Sequence, residues 1–299
     1  MKIFKKIKNT DKYRGRLLKE VVLRGIVAAY RLSAIKTAVR LFCAKKYPEK
    51  WIFIVGCYNS GTTLLQRILG RHPDISILPR EGVVLTSHLP RPEDYGWTRM
   101  WIKCRDRIAF IPEKDEERAE RIIADWSPFY DGKKKIFLEK SITNLLRMEW
   151  IDMNFKNVYF IGIIRNPYAV AEGIRRKAVP SGPARKEISG IYPIDLPAMQ
   201  WREANNILRD SAEKVKNFHF CRYEDLVKDP VGILKKIFRF LQVSCPSMDF
   251  KNGLLTFEEK KEYLQNMNPK SIERLSSKDI NTINDVIGSD IKGFLYEIL

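Results

Sequence analysis

Along this chain, apolar runs stopped by glycine or charge alternate with segments whose apolar positions recur at helical spacing. The first run, residues 51–55 (WIFIV) before Gly56, has no polar member, as in a strand buried on both faces. Similar runs stand at 136–139 (IFLE), 158–164 (VYFIGII) and 218–223 (FHFCRY), with a shorter one at 75–78. Trp201, Ala204, Leu208, Ala212 and Val215 fall on one helix face, as do Val231, Leu234, Ile237, Phe238 and Leu241. Asp229 and Pro230 supply an N-cap and a first-turn proline for the second of these helices. Strands alternating with helices predict an α/β fold, a central parallel sheet covered on both faces.

Two stretches break the alternation. Residues 79–134 carry few strand signals and a charged helix around 113–126, and are expected to form an insertion over the top of the sheet. Residues 178–194 hold Pro180, Gly182, Pro183 and Gly190 ahead of Pro193, which predicts a long substrate loop.

Charge changes the picture at the N-terminus. The 299-residue chain has a formal net charge of +18, and residues 1–50 hold 15 Lys/Arg against Asp11, Glu20 and Glu49. This segment reads as a basic helical arm ahead of one domain over 51–299. It is expected either to pack on that domain or to rest on an anionic membrane surface. Its longest uncharged run, Gly25 to Tyr30, is far short of the roughly 20 apolar residues of a membrane span. No nucleic-acid reader motif accompanies the charge, so nucleic acid is not an expected partner. The five cysteines lack C-x-x-C spacing and only three histidines are present, which argues against a cysteine/histidine metal site. They read as reduced, buried thiols, and the expected location is cytoplasmic, in solution or peripheral to a membrane.

The sharpest local signal runs from the first strand into Gly56-Cys57-Tyr58-Asn59-Ser60-Gly61-Thr62-Thr63-Leu64 and a helix. Glycines let the backbone wrap an anion, and the free N–H groups of the helix start favour negative charge. The Gly56 to Gly61 spacing is that of the nucleotide-triphosphatase loop, but Thr62 stands where its lysine would be. The 158–164 strand ends in Arg165, not in the aspartate that usually holds magnesium. Both departures favour a single phosphate over a metal-bound triphosphate. An ATP-dependent kinase or nucleotide hydrolase remains one alternative, and a catalytically silent nucleotide-binding module another.

This loop, with SGTTLL and the downstream His72-Pro73, resembles the 5′-phosphosulfate loop of sulfotransferases that use 3′-phosphoadenosine-5′-phosphosulfate (PAPS). The likeness covers roughly residues 51–241 and is strongest to bacterial and Golgi-type carbohydrate and tyrosylprotein enzymes. It implies a P-loop-type three-layer α/β/α fold and PAPS as donor, with adenosine 3′,5′-bisphosphate as product and no metal required. It also implies transfer of a sulfuryl group to an acceptor hydroxyl on a carbohydrate, lipid headgroup or tyrosyl side chain. By the same resemblance Asn59, Ser60, Gly61, Thr62, Thr63 and Leu64 hold the 5′-phosphate. The family usually has Lys or Arg where Asn59 stands, so a charge is missing there.

Arg165 follows a buried strand and precedes Asn166-Pro167, an N-cap and first-turn proline. That places a guanidinium at the carboxyl edge of the sheet, where open parallel sheets bind ligands. The resemblance assigns it the donor's 3′-phosphate. The family tends to place a serine eight residues later, where this chain has Gly173; Arg175, Arg176 or Ser181 could substitute. Glu81 resembles the catalytic base of the tyrosylprotein enzymes, with His88 as its rival. Lys140, in an EKS segment, is expected to neutralise the sulfuryl oxygens, and Tyr223, in YEDL, to lie near the nucleotide. Glu224 and Asp225 are expected to cap adjoining structure.

Overall fold

The computed structural model describes residues 43–257, 260–288, 290–294 and 296–299, together with Gly25. The expected arm and its membrane contact thus lie almost wholly outside the described residues. Only its end is seen: Lys46 donates from Nζ to the Tyr130 carbonyl at 2.6 Å, and Tyr47 donates its hydroxyl proton to Glu120 at 2.6 Å. Among the described residues no helix is long and apolar enough to cross a membrane.

The strands are β1 (Lys50–Gly56), β2 (Ile75–Ile77), β3 (Ile136–Glu139), β4 (Val158–Ile164) and β5 (Phe218–Arg222). They pair in the order β2-β3-β1-β4-β5, every pair parallel, so each apolar run is a strand and β1 is central. The longer helices are α1 (Thr62–Leu69), α2 (Glu116–Trp126), α3 (Met148–Asn154), α4 (Pro167–Lys177), α5 (Asp195–Ala212), α6 (Pro230–Phe240) and α7 (Ser277–Ile287).

Alternation along β1 divides the core. Trp51, Phe53 and Val55 face one cluster, with Trp126 of α2, Val170 of α4, Trp201 of α5 and Ile283 of α7. Ile52 and Ile54 face the other, with Leu65 and Ile68 of α1 and Leu234 and Phe238 of α6. These are the two faces of a three-layer α/β/α fold. Trp51 packs its ring against Trp126, Tyr130, Phe137 and Phe155, with centroids 5.3 to 5.9 Å apart. Such contacts anchor the insertion 79–134 to the sheet.

Two features differ from expectation. A second sheet, β6 (Met248–Lys251), β7 (Leu254–Phe257) and β8 (Lys260–Tyr263), is antiparallel and was not foreseen. Of its strand residues only Leu255 and Phe257 of β7 are buried, so no continuous buried apolar run marks it. The signal that could have found it is Asn252-Gly253, both at positive φ (50° and 75°), the two-residue turn that matches hairpin twist. The cysteines are all free as expected, yet only Cys57, Cys104 and Cys221 are buried; Cys43 and Cys245 are exposed because they sit outside the core elements.

Candidate functional site

Parallel pairing sends the carboxyl ends of β1, β3 and β4 to one edge, and the polar residues that follow each strand gather there. The turn after β1 requires its glycines. A Cβ on Gly56 would stand 2.4 Å from the Ile163 carbonyl oxygen of β4. Gly61 has φ 98° and a Cβ there would stand 2.8 Å from the Tyr223 ring. Asn59 has φ 63°, a left-handed conformation that asparagine tolerates. The helix α1 then starts at Thr62 with no side chain capping its first N–H groups.

Arg165 turns toward this loop. It is buried, donates from Nη1 to the Asn59 carbonyl and from Nε to Asn268 Oδ1, both at 2.8 Å, and lies 4.3 Å above the Tyr223 ring. Burial, above all, pulls its pKa below the usual arginine value. Nη2 makes no hydrogen bond among the described residues and is left for a ligand. Tyr223 thus shapes the site as a floor, its own hydroxyl donating to the Gln265 carbonyl at 3.0 Å. Asn166 caps α4 by accepting from Ala169 N at 3.1 Å, and Glu224 accepts from Asn166 N at 2.9 Å, capping the same turn.

After β3, Lys140 pairs with Glu81 at 2.5 Å (Nζ to Oε1). Lys140 is buried, whereas the Glu81 side chain keeps 32% exposure, so the carboxylate can meet a ligand. The hidden partner of this pair is Glu139. It is fully buried and accepts from Gly82 N at 2.7 Å, from Ser141 Oγ and from Asn144 Nδ2. It therefore holds the backbone next to Glu81, a positioning role that a glutamate inside a strand did not announce. Burial pushes its carboxyl up to about 7.

Two adjoining cavities open on these groups. The smaller, about 240 Å³, is lined by Asn59, Gly61, Thr62, Thr63, Arg165 and Lys177 among others. The larger, about 480 Å³, runs past Arg80, Val83, Val84, Arg91, Pro92 and Glu93. Tyr58, Thr63, Glu81, Arg99 and Lys140 line both.

Several expected residues stand elsewhere. His88 lines neither cavity; its backbone N–H donates to Thr86 Oγ1 at 3.2 Å. Ser60 is buried beneath the loop, and Leu64 packs toward the α1 core, so each offers the site only its backbone. Arg175 is spent on a two-pronged ion pair with Asp279 (2.6 and 3.0 Å), Arg176 on Glu172, and Ser181 on the Gly96 carbonyl. No residue of 178–194 lines either cavity. That loop instead braces the segment 96–98, through Ser181 N to the Gly96 carbonyl (2.8 Å) and Tyr192 Oη to the Thr98 carbonyl (3.1 Å).

Two cations were missed by sequence reading. Lys177, the last residue of α4, donates to Asn59 Oδ1 at 2.9 Å, and Arg99 approaches the same oxygen at 3.4 Å. Arg99 has φ 56° and is held at both ends: its N–H donates to Glu93 Oε1 at 3.2 Å and its carbonyl accepts from Gln200 at 2.9 Å. A strained backbone fixed in this way is a mark of functional sites. The site fits an anionic ligand on these grounds: Arg99, Lys140, Arg165 and Lys177 line the smaller cavity, and Asn59 Nδ2 is buried without a partner. Among the described residues no three His, Cys, Asp or Glu side chains gather as a metal set.

A family model described as "Sulfotransferase family" matches residues 51–247. Nodulation protein NoeE of Sinorhizobium fredii is 25% identical over 130 residues, 41% of this chain, and the match spans only 30% of NoeE. Among solved structures, the sulfotransferase domain of the Synechococcus olefin synthase is 18% identical with a TM-score of 0.47, covering 85% of this chain and 97% of that one. A Mycobacterium tuberculosis sulfotransferase is 15% identical with a TM-score of 0.48, covering 83% and 78%. A mouse sulfotransferase complexed with PAP is 17% identical with a TM-score of 0.43, covering 84% and 88%.

Proposed function

Because the chain belongs to the sulfotransferase family, we propose that it moves a sulfuryl group from PAPS to the hydroxyl of a polar acceptor. The observation that carries this reading is the Glu81–Lys140 pair on the wall shared by the two cavities. One cavity offers the amides of the 59–63 turn with Arg165, a seat for the donor's phosphates. The other admits the acceptor. The acceptor oxygen attacks sulfur, the bond from sulfur to the 5′-phosphate oxygen breaks, and Glu81 takes the hydroxyl proton. Protonation of Glu81 cancels its charge, which releases the Lys140 ammonium to face the sulfuryl oxygens. The products are a sulfate ester and adenosine 3′,5′-bisphosphate.

The acceptor cavity favours a hydroxyl compound that itself carries negative charge. Arg80, Arg91 and Arg99 line it, and Arg80 makes no hydrogen bond or ion pair among the described residues. Its apolar lining is limited to small patches around Pro79, Val83, Val84 and Pro92, too little to hold a large apolar alcohol. A carbohydrate bearing an acidic group fits better than a tyrosyl ring or a lipid headgroup.

Calorimetric titration tests the donor site. Adenosine 3′,5′-bisphosphate should bind more tightly than ADP or ATP, equally with and without magnesium. Arg165→Ala should weaken it roughly 30- to 1000-fold, the worth of one charged hydrogen-bonding partner. Tighter binding of magnesium-ATP than of the bisphosphate would overturn the reading in favour of phosphoryl transfer.

A further inference from the structure

The phosphate-binding turn has no charge of its own, since Asn59 is neutral and Thr62 follows Gly61. Charge nonetheless reaches it from a distant part of the chain. Lys177 Nζ lies 2.9 Å from Asn59 Oδ1, and both residues line the smaller cavity with Gly61, Thr62 and Thr63. Resting on the reading above, we propose that Lys177 is the cation that neutralises the 5′-phosphate of the donor and of the bisphosphate product, with Asn59 as the post that holds it in place.

Three further observations bear on this. The first is room. Gly173 stands one helical turn before Lys177 on α4, and a Cβ there would lie 3.1 Å from Asn59 Cγ and 3.3 Å from Asn59 Cβ. The bare backbone at 173 lets the Asn59 side chain lie against the helix and meet Lys177 beyond it. Asn59 and Gly173 are thus one device rather than two separate irregularities. The second is an under-compensated field. No carboxylate bonds Lys177, whose partner is an amide oxygen; Arg99, Arg176 and Arg165 act on it, and Glu172 offsets them only in part. Desolvation first, and then those three cations, pull its ammonium below the usual lysine value. An anion in the cavity between these cations relieves their mutual repulsion, and that cavity is where one fits. The third is commitment. Arg175 and Arg176, its neighbours on α4, are occupied by Asp279 and Glu172, so Lys177 is the residue of that basic turn left to face the loop.

The role is catalytic in the strict sense, since the 5′-phosphate oxygen is the leaving atom and gains charge as its bond to sulfur breaks. It also predicts an opposition between stability and binding. Without ligand, Lys177 adds repulsion; with ligand, it adds attraction.

The test uses the full chain, three ligands and two substitutions. Lys177→Met should weaken adenosine 3′,5′-bisphosphate and adenosine 5′-monophosphate roughly 10- to 100-fold, and leave adenosine 3′-monophosphate within about 2-fold of wild type. The ligand-free thermal midpoint should be unchanged or higher. Lys177→Arg, which keeps the charge, should recover most of the affinity. Unchanged affinity for both 5′-phosphates in Lys177→Met overturns the inference while leaving the donor reading intact. So does an equal loss for all three ligands accompanied by a lower ligand-free midpoint, since that marks a structural role. If wild type binds none of the three, the donor reading itself has failed.

Discussion

Glu139 offers a direct physical test of how the catalytic wall is built. Its carboxyl is fully buried and pushed up to about 7, foremost by burial, while hydrogen bonds from Ser141 and Gly82 pull the other way. In an unfolded chain a glutamate titrates near 4.3. The folded protein therefore holds a proton over this interval that the unfolded chain has already lost. With the folded pKa raised, this group's contribution is fully present below about pH 4 and is lost as pH rises through about 7. A shift of this size corresponds to about 4 kcal/mol in full, of which about 3 kcal/mol is lost between pH 5 and pH 8. For a domain of this length that is roughly 6–12 °C in thermal midpoint. Glu139→Gln keeps an acceptor for Gly82 N but cannot titrate. The assay is the thermal midpoint of wild type and Glu139→Gln measured in parallel from pH 5 to pH 8, so that other titrating groups cancel in the difference. Wild type should lose stability relative to the variant across this range, most steeply near about pH 5.5–6, midway between the two values, levelling off above about pH 7. Two parallel curves would refute the account of Glu139 as a proton-holding buried carboxyl. The consequence for the site is direct, because the N–H it accepts belongs to Gly82, the residue after Glu81.

Gly61→Ala should abolish measurable bisphosphate binding and cost about 1–3 kcal/mol in chemical denaturation, because φ 98° and a Cβ 2.8 Å from Tyr223 leave the methyl no place. Glu81→Gln should slow sulfuryl transfer about 10²- to 10⁴-fold, read as radiolabelled sulfate transferred to an acidic carbohydrate acceptor, with bisphosphate affinity held within about 3-fold. Equal losses of rate and affinity would show that Glu81 holds the donor rather than takes the proton.

The five parallel strands were legible because the signal for each is local. Residues 51–55, 136–138 and 158–164 are apolar runs, and a strand buried on both faces tolerates little else. The caps at Asn166 and Asp229 were equally local, each requiring only a short polar side chain before a proline. The loop from Gly56 to Thr63 was readable because its glycines answer a backbone demand, and Arg165 because it ends a strand at the ligand-binding edge. The 248–263 sheet carried its own local mark in Asn252-Gly253, but it buries only alternate residues of β7 and so lacks the continuous apolar pattern that drew attention elsewhere.

What the chain order could not reveal is which distant side chains share a cavity. Arg99 meets Asn59 across 40 positions and Lys177 meets it across 118, while Glu139 serves Gly82 across 57. Each of these residues has an unremarkable neighbourhood in sequence: a charged insertion, the basic last turn of a helix, the end of a strand. Their roles come from the order of parallel strands, which brings the ends of β1, β3 and β4 side by side and sets the end of α4 beside the turn after β1. Local propensity determines elements and turns because it acts over a few residues. Charge compensation acts through space, over a few ångströms, and only the packed fold decides which charges lie that close.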